Sequence, residues 1–94
     1  LLNMHLEIVT PEQTLLSQQV DSVTLPGSTG EFQILNHHAP LVSTLAKGHI
    51  KLDKNVSIEG KAKSFFKENN DKLTFDINGG VVECKDNKVI VLVD

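Results

Sequence analysis

The sequence has no arginine, no tryptophan and no tyrosine, and it has a single cysteine. Without arginine the nine basic side chains are all lysine, set against twelve carboxylates for a formal charge of −3. Nucleic-acid binding needs a basic stripe, usually with arginine for bidentate phosphate and guanine contacts, so that class is excluded. The usual clamp for phosphoryl transfer is missing for the same reason. With four phenylalanines as the sole aromatics, there is no platform for stacking sugars or bases. One cysteine, Cys84, allows no internal disulfide, which fits a reducing compartment. No apolar run nears the roughly 20 residues that span a bilayer, so no direct membrane insertion is expected, and no signal-peptide pattern opens the chain.

What is present is short alternation. Ninety-four residues fit one domain with a single core. "MHLEIVT" sets Met4, Leu6 and Ile8 against His5, Glu7 and Thr10, the period of a half-buried strand. Strands are also expected at "TLLSQQV", "VDSVTLP", "EFQIL", "PLVSTL" and "HIKLD". In "KLTFDIN", Leu73, Phe75 and Ile77 are expected to face in, with Thr74 and Asp76 out. "VVECK", the tight turn Asp86-Asn87 and "KVIVLV" predict a hairpin. Its last strand, apolar on both faces, is expected to be central and covered on both sides. The polar segment 53–71 predicts an extended hairpin, with a short strand at Val56–Ile58 and a strand or brief helix at "KAKSFFKEN". Strands at this spacing predict an all-β fold, a two-sheet antiparallel β-sandwich over residues 1–94 in a single domain. Leu1–Asn3 carry no weight in this reading.

"PGSTGEFQILNHHAPLVSTL", residues 26–45, stands apart. It reads as a stiffened loop: Gly27 and Gly30 permit a tight turn, and Pro26 and Pro40 stiffen its ends. Glu31 and His38 sit beside these residues. A metal centre needs three or four converging ligands, and the candidates are Glu31, His37, His38, His49 and Cys84. In a strand His37 and His38 point to opposite faces, and His49 follows at no recognised metal spacing. No nucleophile elbow surrounds Ser28, Ser43 or Cys84, and "GSTG" lacks the lysine and helix of a phosphate loop. No catalytic or cofactor-binding constellation emerges. A loop of limited freedom loses less entropy on docking, so partner binding competes here with an ordinary sandwich corner.

"LPGSTGEFQILNHHAPLVSTLAKGHIKL" resembles the most characteristic block of the epsilon subunit of F-type ATP synthases. The opening "LEIVTPEQTLLSQQVDSVTLPG" and the closing "INGGVVECKDNKVIVLVD" are similar to that family's first strands and final hairpin. The resemblance implies a β-sandwich in the central stalk (rotor). Such a subunit is non-catalytic. It binds the gamma subunit and the c-subunit ring and helps couple ion translocation to ATP synthesis or hydrolysis. It implies a peripheral place on the cytoplasmic side of the bacterial inner membrane. Position by position, Glu31 corresponds to the acidic residue facing the c ring, and His38, Thr10 and Ser43 to positions towards gamma. Gly27 and Gly30, with Pro40, shape the loop. His37 is additional to the family pattern. Many members continue past the equivalent of Asp94 into a helical hairpin implicated in ATP binding and inhibition, so neither property is expected of this chain. Two other readings stand beside this one: a small metal-dependent sandwich enzyme using Glu31, His38 and His49, and an adaptor sandwich of another complex.

Overall fold

A computed structural model describes residues 4–53, 56–58 and 60–94. Ten strands form in chain order: β1 (Met4–Val9), β2 (Thr14–Val20), β3 (Ser22–Gly27), β4 (Gly30–Leu35), β5 (Leu41–Leu45), β6 (Gly48–Asp53), β7 (Lys67–Asn69), β8 (Lys72–Ile77), β9 (Gly80–Lys85) and β10 (Lys88–Val93). A 3-10 helix spans Gly60–Phe65. The strands follow the path β2-β1-β10-β9-β5-β3-β6-β8-β7, with β4 paired to β3. Between β5 and β3 the path is held by a single pairing, Gly27 to Leu45. That narrow junction lets the sheet curl into two five-stranded halves, the expected sandwich.

Each half turns its period-two apolar face inward. Met4, Leu6 and Ile8 of β1 and Val89, Val91 and Val93 of β10 meet Val23, Leu25, Ile34, Ile50 and Leu52 of the other half in one core. At roughly 1.5–3 kcal/mol for each fully buried aliphatic side chain, this shared core is the main source of stability. One ladder departs from the antiparallel expectation: β1 and β10 run parallel, with Leu6 opposite Val89 and Ile8 opposite Val91. The rest of the domain serves as the crossover between them, so no short connection forces the antiparallel sense.

Three local expectations are corrected. Strand β10 does lie between β1 and β9, but its outer face is bare, with Leu92 52% exposed. Alternation tells which face a side chain takes, not whether a second layer covers it. Thr74, expected outward and exposed, is buried, because edge strand β7 lies beside it and its hydroxyl donates to Lys67 O at 3.4 Å. Val56–Ile58 form no strand.

The expected extended hairpin over 53–71 includes residues 54, 55 and 59, which lie outside the described residues, as do Leu1–Asn3. The remainder closes one side of the sandwich. Ile58 and Ala62 are buried in the core, and Gln18 Nε2 donates to Ser57 O at 3.2 Å, tying this segment to β2. "KAKSFFKEN" resolves into the 3-10 helix followed by β7. Phe65 meets Phe75 edge-on with ring centroids 6.2 Å apart, and Phe66 lies 5.5 Å from the same ring. Three of the four phenylalanines thus fasten the segment to β8.

Candidate docking surfaces

Within residues 26–45 the expected strands form as β4 and β5, with a tight hairpin turn before β4 and a second turn between the two. Strands β3 and β4 are joined by the two-residue turn Ser28-Thr29, with Gly27 opposite Gly30. Gly30 has φ of 139°, in a region that side chains disfavour. Gly27 is needed for space, since a Cβ there would lie 2.6 Å from Gly30 O and 2.8 Å from the Phe32 ring. Both loop-shaping roles therefore have a local cause. The tip is tied to the other half of the sandwich: Ser28 N donates to Thr44 O at 3.1 Å and Ala46 N to Pro26 O at 2.8 Å. The Ser28 and Thr44 hydroxyls are 2.8 Å apart.

Glu31 is the second residue of β4, beside this tip, and His38 lies beyond the strand's other end. Four strand steps at about 3.3 Å each separate Glu31 from Leu35 by about 13 Å, and His38 stays beside Leu35 through its N–H bond to the Leu35 carbonyl, so the two do not share a site. His37 and His38 sit in a turn, not in a strand as the opposite-face argument assumed. His37 has φ of 64°, and its N–H donates to Asn87 Oδ1 at 2.7 Å. Asn87 Nδ2 in turn donates to Asn36 Oδ1 at 2.8 Å. The β9–β10 turn therefore pins the "NHH" segment. His38 is half-buried; its Nδ1–H donates to Ala39 O at 2.6 Å, leaving Nε2 as an acceptor. Pro40, exposed, leads into β5.

Two further sequence candidates are occupied locally. The Thr10 hydroxyl accepts from the Glu12 and Gln13 amides at 3.3 and 3.1 Å, which closes the β1–β2 turn. Ser43 alternates with Leu41 and Leu45 towards the interior and is half-buried, its hydroxyl donating to Thr44 O at 3.2 Å. Its neighbours on β5, Val42 and Thr44, face outward.

The trio needed for a metal-dependent enzyme does not assemble. Glu31 Oε2 lies 2.8 Å from Lys51 Nζ, His49 Nδ1 contacts Asp76 Oδ1 at 2.5 Å, and His38 is at the far end of β4. Among the described residues, no three histidine, cysteine or carboxylate groups come together in a way that holds a metal ion. Cys84 is buried, and desolvation pushes its thiol above the ordinary value of 9.0.

Two unlike surfaces result. On the outer face of the β4-β3-β6-β8 half, β6 carries His49, Lys51 and Asp53. Their partners are Asp76, Glu31 and Lys72, the last at 2.8 Å. The outer face of the opposite half carries exposed apolar side chains interleaved with charged ones, Glu83 lying directly opposite both Val42 and Ile90. Val42 is 72% exposed, Leu92 52% and Val81 38%, with Val81 directly opposite both Leu92 and Thr44. Sequence reasoning missed this face, because exposed valines in a strand look like core valines until the covering layer is known. "LVSTL" and "VLV", each with an apolar residue out of phase with the inward set, were the available signal.

A β-sandwich with a stiffened tip and exposed apolar side chains on an uncovered sheet face has the form of a protein-docking domain. The chain belongs to the family of ATP synthase delta/epsilon chain β-sandwich domains, whose model matches residues 3–94. The ATP synthase epsilon chain of Campylobacter curvus is 43% identical over 91 residues, covering 97% of this chain and 60% of that one. The epsilon chain of Nitratidesulfovibrio vulgaris is 41% identical over 92 residues, covering 98% and 58%. The chain thus spans a little under two thirds of the length of these relatives. The fold recurs in a structure of the Tetrahymena thermophila mitochondrial ATP synthase central stalk and c ring, with TM-score 0.71 and 19% identity over 97% of this chain and 63% of that one. A Euglena gracilis mitochondrial ATP synthase structure gives TM-score 0.74 and 21% identity over 99% and 51%. Among the described residues, no helix is long and apolar enough to cross a membrane.

Proposed function

We propose that this chain acts as a non-catalytic rotor subunit of an F-type ATP synthase. In this reading it binds the gamma subunit and the c-subunit ring and couples ion translocation to ATP synthesis or hydrolysis. It works at the cytoplasmic side of a bacterial inner membrane, held there by the complex. The observation that carries the reading is the family match over 3–94, because those residues also form both docking surfaces. Glu31, on a tip tied down at Ser28 and Pro26, faces the ring. His38, on its pinned turn, faces gamma, together with the exposed Val42, Val81 and Leu92 side chains. The roles of Thr10 and Ser43 are indirect: Thr10 shapes the β1–β2 turn, and Ser43 sits on the strand that presents Val42. Binding ATP and restraining hydrolysis are not assigned to these residues.

Retrieval of partners by the tagged chain tests this. The chain is expected to retain gamma and the c ring under mild detergent conditions, through an interface of roughly 1,200 Å² or more in total. Val42→Lys with Leu92→Lys is expected to lose gamma, and Glu31→Lys to weaken the ring contact, with the fold intact in both. Retrieval of neither partner by the unaltered chain overturns the proposal.

A further inference from the structure

Glu31 does not stand alone at the tip. Opposite Glu31 on β3 is Pro26, and opposite Lys51 of β6 is Thr24, two residues from Pro26 on the same face. Lys51 therefore reaches diagonally over β3 to place Nζ 2.8 Å from Glu31 Oε2. Both backbones are anchored. The hairpin is held by Ser28 and Ala46 through the Thr44 and Pro26 carbonyls, and β6 lies between β3 and β8. Half-exposed Glu31 would otherwise sample several rotamers, and docking would have to freeze them.

We propose that Lys51 is a positioning residue for the tip interface, a role that rests on the central-stalk reading above. It holds the Glu31 carboxylate in one orientation before docking. It also makes the tip locally neutral and leaves the second carboxylate oxygen turned outward to accept a hydrogen bond. The partner surface that fits this tip offers a hydrogen-bond donor to that oxygen. A cluster of cations would be repelled by Lys51.

The test is a double-mutant cycle, read as the dissociation constant of the chain from a detergent-solubilised stalk and ring assembly stripped of this subunit. Lys51→Met is expected to bind about fivefold more weakly, the effect of losing one partly exposed ion pair. Lys51→Arg, which restores the pair, should bind within about twofold of the unaltered chain. In the Glu31→Gln background, Lys51→Met should add nothing, since its effect passes through the carboxylate. Lys51→Gln, which keeps a donor, replaces Met should the apolar side chain impair folding. Unchanged or tighter binding by Lys51→Met overturns the proposal, as do penalties that simply add. If the unaltered chain fails to bind, the central-stalk reading falls and takes this one with it. Binding by the unaltered chain with an inert Lys51 removes only this inference.

Discussion

Asn87 couples two parts of the fold, because one side chain both forms the β9–β10 turn and holds the segment carrying His38. Replace it by alanine. Its φ of 61°, following 53° at Asp86, is the pattern of a two-residue turn with both central residues left-handed. Asparagine accepts that region, and alanine pays about 1 kcal/mol or more there. The substitution also removes the acceptor for His37 N–H at 2.7 Å and the donor to Asn36 Oδ1 at 2.8 Å. Each bond is worth about 1 kcal/mol net, less where water competes. The loss should total about 2–3 kcal/mol, or more than about 10 °C in Tm for a domain of this size. Asn87→Gly separates the two terms: it keeps the left-handed turn and loses only the side-chain bonds, so its cost should be about 1–2 kcal/mol. Urea unfolding with an unchanged slope measures both. Amide exchange at His37 should accelerate about tenfold in either variant, since the pin is lost in both. Equal costs for alanine and glycine would refute the backbone term. A glycine variant as stable as the unaltered chain would refute the pin.

Three further outcomes are expected. Gly30→Ala should lose about 1–3 kcal/mol through backbone strain alone, because φ is 139° and a Cβ there meets nothing within 4 Å; an unchanged thermal melt refutes this. Phe75→Ala should cost about 3 kcal/mol and loosen residues 60–69, since it removes the ring that Phe65 and Phe66 share; hydrogen exchange confined to β8 itself refutes that fastening. The Cys84 thiol should resist disulfide reagents in the native state and react at once in denaturant. Its folded pKa is raised by burial above 9.0, so above that pH the unfolded chain binds fewer protons than the native one. Stability should therefore fall as pH rises past 9.0 and through the folded pKa. Cys84→Ala should flatten that part of the curve, and an unchanged slope sinks the assignment.

The sandwich was legible because alternation is a local property. Met4-Leu6-Ile8 declares an inward face without reference to any neighbour, and the Asp86-Asn87 turn declares its hairpin. What was not legible depends on layers and edges. Thr74 occupies the outer position that its period predicts yet is buried, and Leu92, in a strand expected to be covered on both sides, is 52% exposed. Edge strand β7 lies beside the first, and no described layer covers the second. The parallel ladder between β1 and β10 was hidden for a related reason. Nothing in either strand's own residues reports the sense of a partner some eighty positions away.

The site shows the same boundary more sharply. Glycine and proline punctuation marked residues 26–45 as stiff, but not what holds each end or how far apart Glu31 and His38 lie. The six-residue strand β4 separates them, and each end is stiff for its own reason: Ser28 against Thr44 at one, His37 against Asn87 at the other. Both fixings join residues far apart in the chain, as does the pair between Glu31 and Lys51. That pair requires the strand order β4-β3-β6, which period and composition do not contain. A docking surface on a sandwich is assembled from outward residues of several strands. Its individual residues can therefore be guessed from a motif, but the partners that orient them follow only from strand order.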